Sequence, residues 1–223
     1  MKNNLLPDAL AKYLTGLAVF LLVLFVPAGT IRYRQAWLLT ALLFVPMLVI
    51  GIFLLKKNPV LLRKRLNDKE TEPQQRQVVL FSMGIFLASF ILAGLHIRFR
   101  WKLLPSGVTL AASAVFLAGY ALYAEVIREN AYLSRVVEVQ KNQKVVDTGL
   151  YGIVRHPMYM ATLLLFLAMP LVLGSAASFL IMLLYIPIIV KRIRNEEQVL
   201  EKGLEGYAEY KKRVRYRLVP FLW

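Results

Sequence analysis

Long uncharged apolar stretches alternate with short polar clusters along this chain. The first stretch runs from about Tyr13 to Ala28, the second from Ala36 to Leu55, a third from Val78 to Leu95 and a fourth from Gly107 to Ala124. A hydrocarbon core of ~30 Å needs ~20 apolar residues in a helix, so each stretch predicts one membrane span. The last apolar run, Met158 to Val190, is too long for one span and is interrupted by Gly174-Ser175-Ala176-Ala177-Ser178. It predicts a helical hairpin of two short spans. The expected fold is an all-α polytopic membrane protein with about six transmembrane helices. Pro27, Pro46, Pro170 and Pro187 fall inside or at the ends of these segments, where a bundle tolerates them if neighbouring groups satisfy the freed carbonyls. The pattern divides the chain into residues 1–125, the first four spans, and 126–223, a connector, the hairpin and a helical tail.

Composition narrows the class. Residues of the AVILMFWYC set make up 58% of the chain and charged residues 18%, an apolar content above that of soluble domains. The 28 Lys and Arg outnumber the 13 Asp and Glu, for a net charge of +15. A basic balance alone suits nucleic acid or anionic lipid; the apolar spans select lipid, and no nucleic-acid partner is expected. Alternate polar segments (the N-terminus, 56–77, 126–157 and the tail from Lys191) hold 23 of the Lys and Arg, and the three opposite loops hold 5. The positive-inside rule then puts both termini and both large basic segments in the cytoplasm. Five spans would split the basic segments between two faces. Lys2 and Lys12 precede the first span and Val26-Pro27-Ala28 loosely fits a cleavage site, but Pro27 sits awkwardly there, so the span is expected to be retained. The composition suits a bacterial inner membrane over an endoplasmic reticulum. Cys is absent and there are two histidines, His96 and His156, so no disulfide, thiolate or metal centre is expected.

Three polar segments on the basic face hold the candidate chemistry. The mixed-charge 56–77 loop, with Lys56-Lys57, Arg63-Lys64-Arg65 and the stretch from Asp68 to Pro73, reads as a solvated connection whose cations rest on anionic headgroups. In the 126–157 segment, Ile127 to Leu133 reads as a short interfacial helix, Val136 to Gln140 alternates like a strand, and Lys141 to Lys144 is turn-like. Pro157 suits the first turn of the following helix, which places His156 and free amides at a helix N-terminus suited to an anionic ligand. On composition alone Arg155 and His156 read rather as interfacial anchors and Tyr159 as part of the aromatic belt. In the tail, Lys191 to Glu197 continues the last span. Arg192 and Glu196 share a face and Glu197 points elsewhere. Two carboxylates one turn from an anionic membrane surface need a cationic partner. The segment from Gly206 to Val214 reads as an amphipathic tail, and Arg217 to Trp223 is apolar enough to pack back.

In order along the chain stand Gln140, Val145-Val146-x-Thr148-Gly149-x-Tyr151, Arg155-His156-Pro157-x-Tyr159, Arg192-x-x-x-Glu196-Glu197 and Gly206-Tyr207…Tyr210…Arg213-Val214. These motifs, spanning Val136 to Trp223, resemble the isoprenylcysteine carboxyl methyltransferase family of integral-membrane enzymes, whose general pattern phospholipid N-methyltransferases share. The resemblance implies S-adenosylmethionine as cofactor and S-adenosylhomocysteine as product, bound on the cytoplasmic side. It implies that Gln140, Gln143, Lys144, Val145, Val146, Tyr151, His156, Pro157, Met158 and Tyr159 line the cofactor pocket, with Glu196 and Glu197 beside its cationic groups. Arg192 would face the acceptor near the transferred methyl, and Arg192 with Glu196 would form the catalytic pair. Gln143 stands where eukaryotic members often have His, and Ala161 where many have Gly.

The implied acceptor is a membrane lipid or lipid-like amphiphile bearing an isoprenylcysteine-type carboxylate. An amine acceptor, as in phospholipid N-methylation, would need a general base, for which His156, Glu125 and Glu129 are candidates. A thiol is a further alternative. Membrane sterol and isoprenoid reductases, which use NADPH, carry a similar Arg-His-Pro-x-Tyr stretch, but paired carboxylates at Glu196-Glu197 suit a 2′-phosphate poorly. A non-enzymatic scaffold binding lipid headgroups through the basic loops would need no cofactor pocket.

Overall fold

The computed structural model describes residues 5–67, 73–134 and 136–223, without the side chains of residues 73 and 74. Lys2, Arg135 and the 68–72 part of the mixed-charge loop lie outside the described residues. Nine α-helices follow one another among those described: α1 (Leu5–Ala28), α2 (Arg34–Lys57), α3 (Pro59–Leu66), α4 (Pro73–Arg98), α5 (Ser106–Glu129), α6 (Pro157–Val172), α7 (Ala176–Leu183), α8 (Tyr185–Gly203) and α9 (Tyr207–Arg213). Helices α1, α2, α4 and α5 and the α7–α8 pair are each long and apolar enough to cross a membrane, and α6 is a shorter apolar helix. At 1.5 Å per residue, the 16 residues of α6 reach about 24 Å. The hairpin breaks at Gly174 and Ser175 as the sequence predicts. The protein is an all-helical, multi-pass integral membrane protein.

Apolar side chains face outward along the spans: Leu22, Val26, Leu80, Phe81 and Leu110 are all exposed. In a bilayer this outer surface is solvated by lipid, so the bundle is held by close packing and by satisfied polar groups. Phe20, Leu24, Phe44, Phe90, Phe116, Leu165 and Met169 form the interior. Close approach needs small residues. A Cβ on Gly94 would lie 2.7 Å from the Leu24 carbonyl oxygen, where α4 meets α1, and one on Gly119 would lie 3.0 Å from Leu165, where α5 meets α6. Pro46 interrupts the α2 ladder, and the hydroxyls of Tyr120 and Tyr13 donate to the Leu43 and Phe44 carbonyls at 2.6 and 3.2 Å in the preceding turn. At the hairpin end, Tyr33 donates to the Leu173 carbonyl at 2.8 Å. Nearby, Ser175 caps α7 by accepting from the Ser178 amide and meets the buried His96 ring at 3.2 Å.

The other end of the bundle carries the connector, and three expectations change there. The 56–67 segment is not merely a solvated connection. Asn58 caps α3, accepting from the Leu61 amide at 3.1 Å, and Leu61 and Leu62 are buried against Leu54, Val126 and Ile127. Ile127 to Glu129 belongs to α5 itself, which continues unbroken rather than starting an interfacial helix. Val136 to Gln140 forms no strand: Val139 packs instead against the tail cluster of Leu204, Tyr207, Tyr210 and Val214.

Candidate active site

Two carboxylates on different elements fold the connector and the tail together. Glu129, at the end of α5, accepts from the Leu150 amide with both oxygens, at 2.9 and 3.2 Å. Gly149 has φ +55°, and a Cβ there would sit 1.8 Å from the Glu129 carboxylate, so both the backbone conformation and the space require glycine. Beyond it, the Gly149–Gly152 3₁₀ turn buries Tyr151. Asn130 donates to the Tyr151 hydroxyl at 2.9 Å, and Tyr210 of α9 donates to the Tyr151 carbonyl at 2.8 Å.

Glu197 is the second carboxylate. Arg155 Nε donates to one oxygen at 2.8 Å, Arg217 Nε donates to the other at 2.9 Å, and His156 Nε2 lies 3.3 Å away. Arg155 also donates to the Val214 and Arg215 carbonyls at 2.7 and 2.8 Å. The backbone completes the joint: the Arg155 and His156 amides donate to the Tyr216 and Arg217 carbonyls, each at 2.9 Å. Arg155 and Glu197 are both buried. The cationic partner expected for this glutamate is thus supplied by the chain itself, and Arg155 is a buried structural arginine rather than an interfacial anchor.

One helical position earlier, Glu196 faces the other way. Its carboxylate accepts from the Tyr159 hydroxyl, whose oxygen accepts from Arg192 Nε at 3.0 Å. The i, i+4 spacing puts Arg192 and Glu196 on one face of α8, as predicted, and Pro157 at N1 of α6 starts the helix that delivers Tyr159 to both.

This triad opens into a cavity of about 560 Å³, within the range of small-ligand sites. The cavity brings together Gln143, Lys144, Val145, Val146, Tyr151, His156, Met158, Tyr159, Arg192 and Glu196. Three sequence candidates are not among its lining residues. Gln140 turns its side-chain amide to the Tyr132 carbonyl at 2.6 Å, Pro157 packs at the helix start, and Glu197 is held by Arg155, Arg217 and His156. The wall also includes residues that sequence reasoning missed. Val79, Met83 and Phe86 come from α4, Phe166 from α6, Tyr185 from α8, Asn130 and Tyr132 from the connector, and Arg65 from α3. The rings of Phe86, Phe166 and Tyr185 meet edge-on with centroids 4.6 to 5.4 Å apart. One part of the wall is therefore aromatic and comes from bilayer-facing helices, and another comes from the connector, with polar and apolar side chains both.

Burial raises the phenols of Tyr151, Tyr207 and Tyr210 well above their ordinary value, so they stay neutral near pH 7. Glu125 pairs with Arg128 at 2.5 Å, and neither Glu125 nor Glu129 lines the cavity. Among the described residues no three His, Asp or Glu side chains gather to hold a metal.

Residues 107–206 match the sequence pattern of the phospholipid methyltransferase family, which takes in most of the cavity wall. The mouse Delta(14)-sterol reductase TM7SF2 is 33% identical over 84 residues, 36% of this chain. The chain spans 20% of that curated relative's length. Among solved structures, the eukaryotic intramembrane Ras methyltransferase, isoprenylcysteine carboxyl methyltransferase, aligns at a TM-score of 0.49 with 15% identity, over 99% of this chain and 88% of that one.

Proposed function

We propose that this protein is a membrane methyltransferase that moves a methyl group from S-adenosylmethionine to the carboxylate of a lipophilic acceptor. The observation that carries this reading is the cavity itself. A carboxylate, a phenol and a guanidinium from α6 and α8 meet inside the family-matched region, with aromatic rings from bilayer-facing helices on one side.

The residues fit a cationic, nucleoside-sized cofactor. Glu196 supplies the negative charge, Val136, Val137, Val145 and Val146 supply an apolar wall, and the volume suffices. Gln143, Lys144, Tyr151, His156, Met158 and Tyr159 complete the proposed cofactor set, with Gln140, Pro157 and Glu197 outside the cavity lining. When bound, the cofactor supplies a methyl carbon already activated by a sulfonium, so the protein contributes alignment and water exclusion. Arg192 holds the acceptor's carboxylate, and its own orientation is fixed by Tyr159, which Glu196 holds in turn. Phe86, Phe166 and Tyr185 receive the acceptor's apolar part from the bilayer. A carboxylate is already nucleophilic. An amine would need a base, and of the candidates only His156 lines the cavity, leaning on Glu197. The positive-inside distribution supports access of the cofactor from the cytoplasm.

Calorimetric titration of the detergent-purified protein with S-adenosylhomocysteine, beside Glu196→Gln and with NADPH as competitor, tests the reading. Binding of the nucleoside that weakens at least tenfold in the variant is expected. Binding of NADPH in its place would instead support the reductase chemistry named for the mouse relative.

A further inference from the structure

Arg65 is a cavity-wall cation from α3, outside both the family-matched residues and the motifs of the sequence. Leu61 and Leu62 anchor α3 in the bundle, and Arg65, three to four residues on, lies over the same side. Its guanidinium donates to the Tyr123 hydroxyl at 2.8 Å and to the Ser134 carbonyl at 3.2 Å, and sits 5.4 Å from the centre of the Tyr123 ring. All three partners are neutral. No carboxylate among the described residues pairs with it, whereas Arg155, in the same wall, is matched by Glu197. A half-buried cation, held rigid by neutral groups at the edge of a cavity, is an anion site in waiting. Lys144 reaches the same cavity but is exposed, with no such scaffold.

We propose that Arg65 binds the α-carboxylate of the cofactor's amino-acid end. This rests on the methyltransferase reading above. Arg65 is held against the connector through Ser134, whereas the aromatic cluster comes from α4, α6 and α8, so its anion is assigned to the water-soluble ligand. The wall thus holds the carboxylates Glu138 and Glu196 beside the cations Arg65, Lys144, Arg155 and Arg192, so both signs of charge that a zwitterion needs are present.

The test compares S-adenosylhomocysteine with its decarboxylated analogue by calorimetry on the full chain. Wild type is expected to favour the carboxylate-bearing ligand by about tenfold, as a charge-assisted hydrogen bond provides. Arg65→Ala should erase that preference by weakening the first ligand alone, and Arg65→Lys should keep part of it. Lys is the variant to read should Ala fail to fold. Equal affinity of wild type for the two ligands would overturn the proposal. So would Arg65→Ala binding both ligands as wild type does while showing a raised KM for the lipid acceptor, which would assign Arg65 to an acceptor headgroup. If wild type bound neither nucleoside, the methyltransferase reading itself would fall.

Discussion

Neighbouring glutamates on α8 should fail in opposite ways when each is changed to glutamine. Glu197 is 3% exposed and ties Arg155 and Arg217 to itself. Neutralising one partner of a buried pair costs about 3–5 kcal/mol. Arg217 can turn to water, since its side chain is 29% exposed, and Arg155 keeps two carbonyl acceptors. The low end of the range therefore applies, and Glu197→Gln should lose about 3 kcal/mol, or about 9 °C in Tm for a chain of this size. Glu196→Gln keeps an acceptor for the Tyr159 hydroxyl and should cost under about 1 kcal/mol, while cofactor binding collapses. Thermal unfolding in detergent measures the first effect and calorimetry the second. Adding Arg155→Gln to Glu197→Gln should restore part of the loss, because the two sites are coupled. A Glu197→Gln protein within 2 °C of wild type (roughly half a kcal/mol) would refute the argument, as would an exchange of phenotypes between the two variants.

Other outcomes follow from single features. Arg192→Ala should leave S-adenosylhomocysteine affinity within about twofold and depress turnover, read by radiolabelled methyl transfer to a lipid extract. Gly94→Ala should destabilise by about 2 kcal/mol, since its Cβ would meet the Leu24 carbonyl and Pro27, and a detergent melt would show it. Gly149→Ala should evict Glu129 from its cap and abolish ligand binding while the spans still form, visible as retained helical circular dichroism without a calorimetric signal. Because burial raises the Tyr151 and Tyr210 phenols above their unfolded value near 10, their stabilisation is fully present below pH ~10 and is lost as pH rises further. Tyr151→Phe should make that alkaline loss shallower.

The spans were legible because lipid demands continuous apolarity, and the break at Gly174-Ser175 stood out against it. The i, i+4 pairing of Arg192 with Glu196 was legible for an equally local reason. What escaped was set by partners distant in sequence. Helix α3 hides because Leu61 and Leu62 are followed by three cations, and only their burial against Leu54 and Val126 shows it to be part of the bundle. The alternation of Val136 to Gln140 has the period of a strand, yet Val139 packs on side chains of the tail instead. That Glu197 points away from Glu196 followed from helix geometry, but its meeting with Arg155, 42 residues earlier, had no sequence signal.

The joint between residues 155–156 and 216–217 also fixes a point in time. During synthesis α1 to α8 are made before Arg217 leaves the ribosome, so these helices can insert and pack while Glu197 still lacks one of its cations and Arg155 lacks its carbonyl acceptors. Premature termination between α8 and Val214 would therefore leave α1 to α8 made and this joint open. Residues 214–217 thus act as a latch on maturation, closing on Arg155 and Glu197 only after the helices before them have been made.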